Sequence, residues 1–236
     1  MACIISLIGN DIKTGKTTIS FNLSILLSKK NKKILLIHQE HTPPYLNPLI
    51  NQVKTTNKNI ISPFVLLEYD KHLSILLFSN GKVNTSKYDY AKLFPKQLEL
   101  LNSKFDYIII DTNYVWNFLT SLALANSKKI IGIYDSNNFN ASQLQKMLSL
   151  VRKNQTNNQN LKLSMFILNS YDPTIHMNSL LDITKMIGDN YLFITLPYRE
   201  ELQKINNQSI KFIKNNKWDD YVLMLNRIVN QILKNV

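Results

Sequence analysis

Residues 3–30 read CIISLIGNDIKTGKTTISFNLSILLSKK, and the fold turns on this stretch. Ile4, Ile5, Leu7 and Ile8 form a short apolar run without polar alternation, the mark of a strand covered on both faces. Gly15-Lys16-Thr17-Thr18 follows, and then Ile19, Leu23, Leu26 and Leu27 recur at helical spacing. Strand, tight loop and helix is the context in which a Gly-Lys-Thr tripeptide becomes a phosphate site. The loop amides and the helix N-terminus face an anion, Gly15 lets the loop turn, and Lys16 reaches the outer phosphates. In that reading Thr17 holds Mg²⁺ and Thr18 contacts an inner phosphate. A strict G-x-x-x-x-G-K-[ST] motif needs glycine at position 10, where this chain has Asn10, with Gly9 one residue early. Asn tolerates the left-handed backbone better than most residues, so closure of the loop is expected. A chance GKT in a strand–helix protein is the alternative.

At 236 residues the chain has the length of one α/β domain, and a single domain over 1–236 is the expectation. No signal-peptide pattern is visible, and no run approaches the roughly 20 apolar residues of a transmembrane helix. The single cysteine, Cys3, falls in the first strand. It fits a structural thiol in a reducing cytoplasm and excludes cysteine-based zinc or iron–sulfur sites within one chain. The formal net charge is +12. That balance points to a nucleic-acid or anionic partner surface, with compositional bias toward Lys, Asn and Ile as the alternative source.

Further strands are read at Ile34–Ile37, His72–Phe78, Phe105–Thr112, Lys129–Tyr134, Leu161–Leu168 and Tyr191–Leu196. Helices are read near 115–126, 139–153 and 175–188. Residues 45–70 carry less pattern and are assigned a helix and a loop. A last helix from about Trp218 to Leu233 places Trp218, Val222, Leu225, Val229, Ile232 and Val236 on one face. Alternating strands and helices imply a doubly wound, mostly parallel sheet of about seven strands with helices on both faces. Asp111 ends the clearest strand, FDYIIIDT from Phe105. A carboxylate there belongs beside Mg²⁺ in a phosphate-loop protein, with a turn or helix-cap role as the alternative. Lys204, Lys211, Lys214 and Lys217 cluster in the C-terminal quarter as a candidate DNA surface or a solvated basic face.

With these pieces in order, the chain resembles the ParA/MinD family of P-loop ATPases over nearly its whole length. FDYIIIDTNYVWNFLTSLALANSKKIIGIYDSNNFNASQLQKML, residues 105–148, is similar to that family's Walker B strand, the following helix and the next strand. FILNSYDPT, residues 166–174, resembles the strand whose terminal Asn, here Asn169, recognises adenine. TLPYREELQKINNQS, residues 195–209, resembles the segment that lays a proline, here Pro197, over the base, with Asn207 and Gln208 at the matching Asn-Gln.

The resemblance implies ATP and Mg²⁺ as ligands, slow hydrolysis, an ATP-dependent homodimer and nonspecific DNA as the bound surface. It also implies a ParB-like or other stimulating protein, and a cytoplasmic, nucleoid-associated location. A nucleotide-binding scaffold with little hydrolysis and a MinD-like membrane-positioning ATPase are the alternatives. The last helix has few basic residues on its polar face, which favours DNA over membrane. Metabolic enzymes of the same fold are disfavoured.

Three departures from the family pattern stand out. The signature lysine of the deviant Walker motif KGGxGKT falls on Asp11, a carboxylate that repels phosphate; Lys13 lies two residues on. The D-x-D-P-Q segment is replaced by His38, Gln39, Glu40, His41 and Thr42, with Glu40 in the place of the carboxylate that positions the attacking water. His38 and His41, without further ligands in view, do not make a metal pair. The switch after Asp111 runs Thr112-Asn113-Tyr114-Val115, lacking the usual proline and glycine. Asp11→Lys is therefore expected to tighten dimerisation in ATP. Sedimentation velocity with and without ATP checks it, and an unchanged monomer–dimer distribution refutes it.

Overall fold

The computed structural model describes residues 1–9, 14–39, 64–78, 87–113, 117–138, 140–188, 191–199 and 219–234. The elements run β1 (Cys3–Gly9), α1 (Lys16–Lys29), β2 (Ile34–His38), β3 (Phe64–Glu68), β4 (Leu73–Phe78), α2 (Lys87–Asn102) and β5 (Tyr107–Asp111). They continue with α3 (Phe118–Ala125), β6 (Lys129–Asp135), α4 (Ala141–Asn157), β7 (Lys162–Tyr171), α5 (Pro173–Ile187), β8 (Leu192–Pro197) and α6 (Asp219–Lys234). One eight-stranded sheet has the order β3-β4-β2-β5-β1-β6-β7-β8. Every neighbouring pair is parallel except β3 with β4. The doubly wound, mostly parallel α/β fold expected from the pattern is the one observed, with eight strands for about seven.

The continuous apolar runs make sense once both faces are filled. Side chains alternate across a strand, and β1 sends Cys3, Ile5 and Leu7 into one core with Ile19, Leu23 and Leu27 of α1 and Leu225, Val229 and Ile232 of α6. Its Ile4 joins Phe94, Leu98 and Leu101 of α2 on the opposite face. Its Ile8 joins Leu144, Met147 and Val151 of α4 and Ile183 of α5. Cys3 is buried, and desolvation pushes its thiol above the ordinary range. It has the structural environment expected of it.

Helix α1 is buried on nearly every side although it carries Ser20, Asn22, Ser24 and Ser28. Each returns a hydrogen bond to its own helix. Ser20 Oγ donates to Thr17 O (3.0 Å), Asn22 Nδ2 to Thr18 O (2.7 Å), Ser24 Oγ to Ser20 O (2.7 Å) and Ser28 Oγ to Ile25 O (2.9 Å). Back-bonding of this kind lets small polar residues enter a core without stranding their donors.

Three expectations are corrected. Residues 64–68, read as part of a helix-and-loop stretch, form β3, an antiparallel edge strand with Phe64 opposite Phe78. Its Phe-Val-Leu-Leu run is short and only partly buried, so it lacks the strong signal of the central strands. Residues 87–102 form α2, to which the sequence reading assigned no element. Pro95 inside it removes one backbone donor, yet Tyr90, Phe94, Leu98 and Leu101 are buried along one face and outweigh that loss. In α6 the buried stripe is Tyr221, Leu225, Ile228, Val229 and Ile232, rotated from the face read through Val222. Trp218 and Val236 lie outside the described residues. Because this stripe is spent in the core, α6 is not a free membrane-seeking face. No helix among the described residues is long and apolar enough to cross a membrane.

Gly132 marks a tight approach between neighbouring strands of the sheet. A Cβ there would come within 2.7 Å of Phe166 Cδ1 and Cε1. Phe166 has little room to yield, since Phe193 stacks on it at 5.7 Å and Tyr191 meets it edge-on at 5.8 Å. Gly132→Ala is expected to cost about 1–3 kcal/mol by overpacking, lowering the melting temperature by roughly 2–4 °C per kcal/mol for a chain of this size. Calorimetric unfolding measures it; an unchanged transition overturns the packing argument.

Candidate nucleotide site at the carboxyl ends of the strands

Parallel pairing sets which residues meet. Leu7 of β1 lies opposite Asp111 of β5 on one side and Ile131 of β6 on the other, and His38 of β2 lies opposite Asp111. The loop entering α1 therefore emerges beside the end of β5, where the chain turns to opposite sides of β1. Ligands of open α/β sheets bind at this kind of switch point.

Gly15 caps α1 with φ 85° and ψ 10°, a left-handed conformation suited to glycine, and no side chain caps the helix. The first intrahelical bond runs from Ile19 N to Gly15 O at 2.9 Å. The amides of Lys16, Thr17 and Thr18 precede it, within the first turn, where backbone donors have no helical acceptor. Lys16 is 5% exposed, and its Nζ donates to Thr14 Oγ1 at 3.4 Å. Gly9, which the strict motif counts one residue early, takes up a close approach of its own. A Cβ on it would meet Thr14 Oγ1 at 2.6 Å and Lys16 Cδ at 3.1 Å. Asn10, Asp11 and Lys13 lie outside the described residues.

Asn169 comes to the same loop from the far side of the sheet. Its Nδ2 donates to Thr14 O at 3.0 Å, and a Cβ on Gly15 would stand 2.4 Å from that nitrogen. Gly15 thus serves two needs, a positive φ and room for an amide. The backbone device that aims Asn169 is local. Ser170 has φ 57°, and the β7–β8 register shifts between Leu168 and Tyr171. Irregularities of this kind re-aim side chains beside functional sites. Pro197 pairs with Tyr171 at the end of β8, close along the sheet to Asn169.

Asp111 is 1% exposed. Its Oδ2 lies 2.7 Å from His38 Nδ1, while its Oδ1 is buried with no hydrogen-bond partner among the described residues. Next to it, Thr112 Oγ1 donates to Leu7 O at 2.6 Å and locks β5 to β1. Gln39 N donates to Asp111 O at 3.2 Å, and Gln39 Nε2 reaches Leu119 O of α3 at 3.1 Å. The end of β2 is thereby tied to β5 and α3 together. The His38–Asp111 contact escaped the sequence reading, although strand-end positions on two neighbouring parallel strands are the signal that would have found it. No group of three or more metal-ligating side chains occurs among the described residues.

These features fit a magnesium nucleotide. Uncapped helix amides and Lys16 suit phosphates, a glycine-only approach leaves space above the loop, and a buried carboxylate oxygen without a donor suits a cation or its water. Thr17, half-buried at the start of α1, and Asp111 are the residues present that could hold the metal. Glu40, Lys204, Asn207, Gln208, Lys211, Lys214 and Lys217 lie outside the described residues.

Solved structures share this architecture. A putative plasmid partition protein of Borrelia burgdorferi bound to AMPPNP superposes with a TM-score of 0.75 at 24% identity, over 100% of this chain and 100% of that one. The MinD cell division protein of Aquifex aeolicus gives 0.74 at 17% identity, over 99% and 98%. Cobyrinic acid a,c-diamide synthase of Mycobacterium smegmatis, with a bound ATP analogue and magnesium, gives 0.68 at 16% identity, over 99% and 95%. At such identities the likeness carries the fold alone. No curated protein matches the chain in sequence. The profile of the CobQ/CobB/MinD/ParA nucleotide-binding domain matches residues 5–212. With a match of that extent, and a Gly15-Lys16 loop beside Asp111 at the strand ends, the chain belongs to the CobQ/CobB/MinD/ParA nucleotide-binding family.

Proposed function

We propose that the protein is a ParA-like ATPase that binds ATP and Mg²⁺, dimerises in the ATP state, and in that state binds nonspecific DNA to partition a plasmid or chromosome or to position another cargo. The observation that carries the nucleotide part is the juxtaposition of the uncapped α1 start, Lys16 and the buried Asp111 at the ends of β1 and β5. In this reading Gly15, Lys16 and Thr18 hold the phosphates, Thr17 and Asp111 hold the cation, and Asn169 and Pro197 border the base. Glu40 orients the attacking water. Positioning and electrostatics supply most of phosphoryl-transfer catalysis, so a longer carboxylate at position 40 slows turnover while keeping its role.

The formal charge of +12 and the lysines at 204, 211, 214 and 217 support an anionic surface such as DNA. The core-facing stripe of α6 favours DNA over membrane. A ParB-like or other partner accelerates hydrolysis and releases the dimer, and the protein works in the cytoplasm on the nucleoid. One feature favours a second reading. Asp11, where the family carries its signature lysine, fits a nucleotide-binding scaffold with little hydrolysis.

Lys16→Ala is expected to weaken binding of a fluorescent ATP analogue about 10–100-fold, the loss of a hydrogen-bonded charge on phosphate. Equal affinity in a titration would remove the phosphate-loop assignment. Retention of nonspecific duplex DNA on a filter, at fixed salt, tests the rest. The parent should retain DNA with ATP but not with ADP or without nucleotide, and Lys16→Ala should retain none. Retention indifferent to nucleotide, or no retention, supports the scaffold or the membrane reading instead.

A further inference from the structure

β2 and β5 run side by side and end in register at His38 and Asp111. The two side chains are almost sealed from solvent, at 4% and 1% exposure, with Nδ1 and Oδ2 2.7 Å apart. A carboxylate that serves a cation only accepts, so the His38 tautomer with hydrogen on Nδ1 is the one that donates to Oδ2. The second oxygen, Oδ1, is equally buried and has no hydrogen-bond partner among the described residues. One oxygen is committed and the other is left.

That asymmetry has a use. The terminal torsion of Asp is broad and roughly two-fold, so an untethered carboxylate presents either oxygen over a range of angles. A bond to Oδ2 removes the exchange and fixes the carboxylate plane. Mg²⁺ demands near-ideal octahedral geometry and keeps several waters, so a carboxylate serving it benefits from a fixed plane more than one serving Ca²⁺ would. Groups that hydrogen-bond a ligating carboxylate orient it and tune metal affinity without touching the metal.

We propose that His38 is a positioning residue for the divalent cation: its Nδ1–H holds Oδ2 of Asp111 and reserves Oδ1 for the cation, or its bound water, that accompanies a nucleotide. The assignment rests on the magnesium-nucleotide reading above. It gives the histidine a role through Asp111 rather than as a metal ligand or a proton carrier.

Two variants of the full chain separate this role from packing. His38→Phe keeps a ring of similar size and removes the donor. His38→Asn places Nδ2 near the position of Nδ1 and keeps a donor. Binding of a non-hydrolysable fluorescent ATP analogue is titrated with MgCl₂, and again in EDTA. His38→Phe should need about 10–100-fold more Mg²⁺ for half-maximal enhancement, with its affinity in EDTA unchanged. His38→Asn should stay within a few-fold of the parent, about half a decade, because the orienting bond survives. A parallel measurement needs no stable loss-of-donor variant. In ¹⁵N-histidine-labelled parent saturated with the analogue, Mg²⁺ should shift the ring-nitrogen resonances that disappear in His38→Asn.

An unchanged Mg²⁺ requirement in His38→Phe, or histidine resonances indifferent to Mg²⁺, overturns the proposal and leaves the nucleotide site standing. A parent that binds the analogue identically with Mg²⁺ and EDTA overturns both the site reading and this inference.

Discussion

The parallel pairing of β1 with β5 is the constraint on which the rest of the molecule depends. It brings Leu7 and Asp111 into register, so the end of β1 lies beside the carboxylate that ends β5. The pairing is held by the ladder and by Thr112, whose hydroxyl and amide both donate to Leu7 O. Both strands are buried along their whole length. A slip of one residue would exchange the two faces of β1, sending Ile5 and Leu7 toward α2 and α4 and Ile4 and Ile8 toward α1. Core packing on both faces therefore fixes the site's geometry, although no core residue belongs to the site.

Around that pairing the polar groups of the site are held by short local devices. Gly15 supplies a positive φ and leaves room for the Asn169 amide. The left-handed Ser170 and the register shift in β7 turn Asn169 toward the loop. Gln39 spans from β5 to α3 and ties the end of β2 to both. Tyr134 closes the next strand end by donating to Asn140 O at 2.8 Å and accepting from Asn140 N at 2.7 Å. The strand ends thus form a connected rim. Within it, the first turn of α1 carries no side-chain cap, and Oδ1 of Asp111 is buried with no hydrogen-bond partner among the described residues. Buried polar groups without partners are costly, and a phosphate and a cation are the chemistry that would offset them.

The central strands were legible because a sheet covered on both faces leaves an unbroken apolar signature, as in YIIID and KIIGIYD. Glycine before lysine at the start of a helical period marked the turn into α1 for an equally local reason. Edge strand β3 was not legible. It is short and half-buried, and only its pairing with β4 makes it a strand. Helix α2 was hidden by Pro95, whose local penalty is outweighed by four buried side chains that the sequence does not identify as neighbours. The stripe on α6 was found but rotated, because several residues suit an apolar face and only contact with α1 and the sheet selects Tyr221 and Ile228 over Val222.

The sequence by itself determined the class of fold and the place where a Gly15-Lys16 turn enters the first helix, since both follow from periodicity and from residue types with narrow backbone requirements. It also carried the departures at Asp11, His38 and Glu40 from the pattern the chain resembles. Tertiary structure alone decided that His38 meets Asp111, that Asn169 meets Thr14, and that Gly9 lies beneath Lys16. These pairs are far apart in the chain or turn on loop closure. Their contact is set by strand order and register, quantities that depend on how the whole core packs and that no local stretch encodes.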